Sequence, residues 1–304
     1  MTETRTAFVT GASRGIGRCI ALALAAGGFD VAITARTVDP GERREHSSSV
    51  RSSDSSPLPG SLSETAALIE QAGRDVIVAP ADITDRASLG AAATTVLDRW
   101  GHVDVVVHNA RFVGPGHMDT FLDTPIDAIE HHMEGNFFAP LVLDKLFLPR
   151  MIERGAGRII TITSSVGYSD PITPAGDGGW GLSYGATKAA IHRVAGILAT
   201  ELAASGILSF NVDPGYTRTE RIAQDMAKFG FEATGEPPEV VSAVVRWLAS
   251  AVDAHALNGA TVFAQQFCVE HGLLDGYAGP SSPLTGVRPD LSGARLAAFV
   301  EGAR

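Results

Sequence analysis

Three observations predict an α/β architecture for this chain, with a parallel sheet covered by helices on both faces. Short β-branched runs alternate with helical patterns along most of its length. The runs are continuously apolar, as strands buried on both faces must be. The first run ends in a glycine-rich turn, "VTGASRGIG", that opens a helix.

The elements follow in order. "TAFVT" at 6–10 reads as the first strand, followed by a helix over 15–26. "DVAITA" (30–35) and "DVIVAPA" (75–81) are the second and third strands, and "RASLGAAATTVLDRW" (86–100) is a helix. "VDVVVHNA" (103–110) precedes a long helical stretch over 126–148. "RIITIT" (158–163), a helix over 184–204, "ILSFNV" (207–212), a helix in "PPEVVSAVVRWLAS" and a last strand "ATVFAQ" complete the alternation. The order predicts a doubly wound sheet.

Three segments interrupt it: the Ser-rich 38–63, the glycine-rich 166–183, and the tail 272–304 with its apolar "ARLAAFV". Loops this long are functional or mobile. Residues 38–63 read as a surface excursion or as part of a cofactor site or interface. No domain boundary is visible, so 1–271 reads as one domain with a C-terminal extension.

Composition narrows the function. With 45% apolar and 19% charged residues, 304 residues can bury a core without staples. A net charge of −10 argues against a nucleic-acid partner, which needs a cationic face. Cys19 and Cys268 are far apart with no metal spacing and read as reduced thiols. His131 and His132 precede Glu134 without a zinc-protease spacing and read as a solvated face, while Glu270 and His271 could line a pocket if the tail folds back. No signal-peptide pattern and no long apolar run is present, which predicts a cytoplasmic protein without a membrane partner.

The glycine turn predicts a dinucleotide. Gly11, Gly15 and Gly17 let the chain reverse and approach a pyrophosphate closely, with Ser13, Arg14 and Ile16 between them at the helix start. Where an NAD site carries Asp or Glu after the second strand, this chain has Ala35 and Arg36. Arg36 and Arg14 suit a 2′-phosphate, so NADP(H) is expected in preference to NAD(H), which stays possible. Asp82, followed by Ile83 after the third strand, is placed to accept from the adenine amino group.

The other end of the site carries acid–base chemistry. Tyr184 and Lys188 are four apart at a helix start and share one face. A phenol titrates near 10, and a neighbouring ammonium favours the phenolate and brings it into the range for general acid–base work. Ser165, at a strand end, can donate to a carbonyl oxygen that is becoming an alkoxide.

"TGASRGIG", "HNA", "SS" followed by "YGATK", and "DPGYTRT" together resemble the classical short-chain dehydrogenase/reductase family over roughly residues 5–265. The Ser-rich insertion and "PGSLSETAALIE" are similar to a hydroxysteroid-dehydrogenase-like subset. The resemblance implies a Rossmann-like, seven-stranded domain, a nicotinamide cofactor and a homodimer or homotetramer built through the long helices. By position it implies Tyr184 as acid/base, Ser165 rather than Ser164 as substrate orienter, and Lys188 on the nicotinamide ribose. Asn136 would position a relay water, Asn109 and Ala110 would line the cofactor, and Pro214, Gly215, Thr217 and Thr219 would hold the nicotinamide end.

Two departures stand out. The "NAG" turn reads His108-Asn109-Ala110-Arg111, so an arginine replaces its glycine. The spacing from Ser165 to Tyr184 exceeds the family's by several residues, which predicts a substrate-side flap bearing Tyr168, Pro171, Asp177 and Trp180. Trp180 and Phe138 suggest a hydrophobic carbonyl substrate. The expected function is reversible hydride transfer between NADP(H) and an alcohol/carbonyl carbon. A cofactor-binding sensor without turnover is the rival, and it would have no need of the Tyr–Lys pair.

Overall fold

In the computed structural model, strand β1 (Thr6–Thr10) is buried along its whole length and pairs in parallel with β2 (Asp30–Thr34) on one side and β4 (Val105–His108) on the other. The structure describes residues 4–177, 179–227 and 235–280. With β3 (Val76–Val78), β5 (Gly157–Ile162), β6 (Ile207–Asp213) and β7 (Thr261–Phe263), the sheet has seven parallel strands in the order β3-β2-β1-β4-β5-β6-β7. The order reverses between β1 and β4, and ligands of such sheets bind at the carboxyl ends of the strands there.

The two-residue period of the strands sorts their side chains into two cores. Ala7, Val9, Val105, Val107, Ile160 and Ile162 face one side. There they meet α1 (Gly15–Ala26), α2 (Leu62–Gln71) and α8 (Pro238–Ser250). Phe8, Val106 and Ile159 face the other, against α3 (Arg86–Trp100) and α5 (Ala139–Arg154). Phe8 and Phe147 put their rings 5.0 Å apart at that second core, so Phe147→Ala is expected to cost about 3–5 kcal/mol. Both faces being buried explains why the strands read as continuous apolar runs.

The structure refines several expected boundaries. The long stretch is α4 (Ile126–Met133), a π-helical turn over Glu134–Phe138 and then α5, which runs on to Arg154 and stops at Gly155 with φ 70°. Helix α6 (Leu182–Leu202) begins two residues before Tyr184. The last strand is shorter than expected because Ala264 and Gln265 turn inward and start α9 (Ala264–Glu270), which buries both together with Cys268. Helix α7 (Glu220–Ala227) follows β6 and was not anticipated. The tail stretch "ARLAAFV" lies outside the described residues. Among those described, no helix is long and apolar enough to cross a membrane.

Candidate active site

A cavity of about 430 Å³ opens at the switch point and runs from the glycine turn to Tyr184. At Gly11 the backbone has φ 70°, and a Cβ there would come within 2.9 Å of the Ala110 backbone. A Cβ on Gly17 would lie 2.2 Å from the Gly11 carbonyl oxygen, so the turn closes only without side chains. Asn109 braces it by donating from Nδ2 to the carbonyls of Thr10 (2.9 Å) and Gly11 (3.3 Å). Gly11, Ser13, Gly15, Ile16 and Gly17 line the cavity from this side. Ile83, Asn109 and Ala110 line the facing wall, and Pro214, Gly215, Thr217 and Thr219 line the end beyond β6.

Part of the 38–63 segment lies along the cavity, where Arg44, His46 and Leu58 line it. Arg14 donates from Nε to Pro59 O (2.8 Å) and from a terminal nitrogen to Gly60 O (2.9 Å). Arg44 donates to Arg36 O at 3.1 Å. Further along, Met118 N donates to Ser48 O, Val50 N to the Asp119 carboxylate, both at 2.9 Å, and Arg51 pairs with Asp123 at 2.7 Å. Arg44, His46 and Leu58 consequently face the cavity, which the sequence did not suggest. Arg36 also lines it and stands 3.8 Å from Asp82.

Asp82 lies just behind the cavity wall. Its Oδ1 accepts from Thr84 N (2.9 Å) and Thr84 Oγ1 (2.8 Å), and only its neighbours Ala81 and Ile83 reach the cavity wall. One carboxylate oxygen closes a local turn, and the other lies 3.8 Å from Arg36 at the cavity edge.

At the opposite end, Tyr184 and Lys188 project from the first two turns of α6 into the cavity. Lys188 is buried and donates from Nζ to Ile162 O at 2.9 Å. Burial holds the Tyr184 phenol up, but the charges of Arg111 and Lys188 and a hydrogen bond from Ser164 outweigh it, leaving it below the usual phenol value. Burial lowers the Lys188 ammonium, with Arg111 adding to the effect. The group beside Tyr184 is thus Ser164 and not Ser165. Ser164 caps a short 3-10 turn over Ser165–Gly167 and lines the cavity. Ser165 is exposed, and its carbonyl accepts from Tyr168 N and Ser169 N at 3.0 Å. One residue separates the two, and the chain leaving β5 turns Ser164 inward and Ser165 outward.

Asn136 sits in the π-helical turn, an insertion found often at functional sites. It is buried behind the cavity wall, accepting from Phe112 N at 2.6 Å and donating to Thr187 Oγ1 at 3.4 Å. It ties the turn after β4 to the helix bearing Tyr184. His132 is fully buried, not solvated. Its Nε2 lies 3.1 Å from Pro115 O, and its other nitrogen faces Asn136 Nδ2 at 3.5 Å. The His117 ring lies tilted beside that of Tyr184, 4.4 Å between centres, and burial keeps its imidazole well below the usual range.

The remaining expectations divide. None of the described residues of 166–183 lines the cavity. The segment packs beside it, with Gly181 N donating to His117 O (2.8 Å) and the Tyr168 hydroxyl bonded to Asp213. Phe138 lies under Arg86 on the outside of the fold, 38% exposed, so it is not a substrate contact. His271 stacks on Phe267 at 4.0 Å and belongs to no described part of the site. His108 pairs with Asp144 at 2.7 Å beneath β4. Arg111 does reach the cavity, and its guanidinium lies 5.5 Å from the Tyr184 ring centre.

The glycine cradle, the cations at one end and the Tyr–Lys pair at the other fit a nicotinamide dinucleotide. The family described as short chain dehydrogenase matches residues 5–58 and 55–228. The human "Dehydrogenase/reductase SDR family member 7" is 32% identical over 222 residues, covering 72% of this chain. The chain spans 57% of the length of that relative. "Oxidoreductase UcpA" of Escherichia coli K12 is 31% identical over 239 residues, 78% of this chain and 77% of its own. Among solved structures, a short-chain type dehydrogenase/reductase from Mycobacterium marinum superposes with a TM-score of 0.67 at 25% identity, covering 85% of this chain and 92% of its own. The family match begins before the glycine turn and ends beyond the Tyr–Lys pair, and on that span the chain belongs to the short-chain dehydrogenase family.

Proposed function

We propose that this protein is an NADP(H)-dependent oxidoreductase that interconverts a hydrophobic alcohol and its ketone or aldehyde. The observation that carries the reading is the Tyr184 phenol, lowered by two cations and a serine hydroxyl at the end of a dinucleotide-sized crevice. The bound nicotinamide would supply or accept the hydride at the substrate carbon. In reduction, Ser164 and Tyr184 hold the carbonyl oxygen, and Tyr184 gives it a proton as negative charge develops there. Lys188 keeps the resulting phenolate stable, and its own proton stays anchored by the Ile162 carbonyl. Asn136 positions the wall and α6 relative to each other.

Arg36 and the absence of an acidic residue at the end of β2 support NADP(H), with Arg44 as a second cation from the insertion. Val113, Ile162, Tyr216 and Ile222 on the wall support an apolar substrate body. Outward apolar residues on α5 and α6, Leu146, Ile152 and Ile197, support a homo-oligomer, which sedimentation would test. The activity is tested by mixing protein, NADPH and a carbonyl panel and following cofactor absorbance. Tyr184→Phe should lower turnover by about 10²–10⁴-fold and leave NADPH binding nearly intact. Undiminished turnover would remove Tyr184 from its role, and a wild-type protein that binds NADPH but reduces nothing would favour the sensor reading.

A further inference from the structure

Arg111 stands where the resemblance expects glycine, and its side chain has a definite place. It lines the cavity, half-buried, with its guanidinium 5.5 Å from the centre of the Tyr184 ring. A ring face satisfies one side of a guanidinium and leaves its five N–H donors unused. No carboxylate among the described residues pairs with it. The only carboxylate on the described cavity wall is Glu220, which lies at the other end, against Gly15.

The location separates Arg111 from the phosphate sites. Its charge acts on Tyr184, Lys188, His117 and His132, all at the catalytic end. The glycine turn, Arg36 and Arg44 line the far end of the cavity, where the proposed dinucleotide would place its phosphates. The catalytic end thus holds Arg111, Lys188 and two neighbouring histidines, with Arg221 also acting on His117, while its nearby anion, Asp213, is bonded to the Tyr168 hydroxyl and Gly215 N and not to Arg111. An oxidised nicotinamide would add a further positive charge there. A partly buried, unpaired guanidinium beside a second cation is held at an electrostatic cost unless a ligand supplies the anion. A planar fork matches a carboxylate better than any other small anion found on an alcohol or ketone.

We propose that Arg111 is an anion subsite of the substrate pocket and that the substrate is an oxo acid, reduced to its hydroxy acid, with its carboxylate close to the reacting carbon. This rests on the oxidoreductase reading and adds a charged head to the apolar body proposed above. The carboxylate docks on the Arg111 guanidinium while the carbonyl oxygen is held by Ser164 and Tyr184. Hydride adds to the carbonyl carbon and the Tyr184 proton to its oxygen, so NADPH and a proton are consumed for each hydroxy acid formed. The carboxylate itself does not react.

The probes are 2-oxooctanoate and its methyl ester, which differ in charge and share the reacting centre. With NADPH, wild-type kcat/KM should favour the acid by about 10- to 100-fold, and Arg111→Gln should bring the ratio close to one. Turnover of both compounds with no preference for the acid, or a preference that survives in Arg111→Gln, overturns the subsite and leaves the oxidoreductase reading standing. If neither is reduced, calorimetry with 2-hydroxyoctanoate and its methyl ester on the NADP+-loaded protein decides. Acid-selective binding lost in Arg111→Gln upholds the subsite while the catalytic reading fails, and equal or absent binding overturns both.

Discussion

The Arg111 guanidinium lies 5.5 Å from the centre of the Tyr184 ring, so a cation faces the phenol from the cavity side while Lys188 reaches it from its own helix. Burial works against ionising Tyr184, and these two charges with the Ser164 hydroxyl reverse the sign. The consequence is a pH dependence. Alcohol oxidation requires the phenolate, so its rate rises as pH climbs through the Tyr184 value. Removing Arg111 removes one lowering influence and moves that value up. In Arg111→Gln the rising limb of kcat/KM for oxidation should shift to higher pH, whatever the charge of the alcohol. A limb that stays in place would mean that Arg111 does not act on the phenol.

The one-residue step after β5 gives a second test. Ser164 is turned to the cavity and Ser165 to solvent. Removing a donor to a developing oxyanion costs about 10²–10³ in kcat. Ser164→Ala should show a loss of that order, and Ser165→Ala should remain within a few-fold of wild type. The reverse ranking would restore the serine that the sequence favoured.

That serine shows where sequence reading ran out. The alternation of apolar runs fixed the strands because both faces are buried, and the turn glycines were legible because Gly17 admits no Cβ. The choice between Ser164 and Ser165 depends on which way the chain leaves β5, and periodicity does not carry past a strand end. Asp82 has a local role that the sequence did not signal. A carboxylate after a strand is also a good local turn-former, and Thr84 takes it. His132 reads with His131 as a solvated face because the pair lacks a zinc-protease spacing, and only α4's packing against Pro115 buries it. The insertion was least legible, since its polar residues bond to side chains and carbonyls distant in sequence.

If the cofactor is NADP(H), as proposed, Arg36 and Arg44 are the residues that would select it. Arg36 is 3.8 Å from Asp82, a loose pairing that leaves its fork able to turn toward a 2′-phosphate. Arg44 is brought to the same place by its bond to the Arg36 carbonyl. Each charge-assisted bond to the phosphate is worth about 1.5–3 kcal/mol. Arg36→Gln should therefore weaken NADPH by about 10- to 100-fold with little change for NADH, read by fluorescence titration of both cofactors. Arg44→Gln should act in the same direction. Equal weakening of NADPH and NADH would assign these arginines to some feature the two cofactors share.

Asp119 holds the insertion in place. Its carboxylate accepts from Val50 N at 2.9 Å and from Gly116 N at 2.6 Å, and it bonds the Ser49 hydroxyl. It is buried, so the three donors account for a charge that would otherwise be costly there. One carboxylate thus joins residues 49–50, which lead into the cavity wall, to the segment carrying His117 beside Tyr184. Asp119→Ala removes the clamp and leaves two backbone donors unmatched, at about 1–3 kcal/mol each. The insertion should then open more often. NADPH affinity should fall, proteolysis should begin within the Ser-rich stretch, and saturating NADPH should slow that cleavage by holding the wall closed. Cleavage elsewhere, or unchanged affinity with a lowered melting temperature, would make Asp119 a brace for the fold with no part in shaping the cavity.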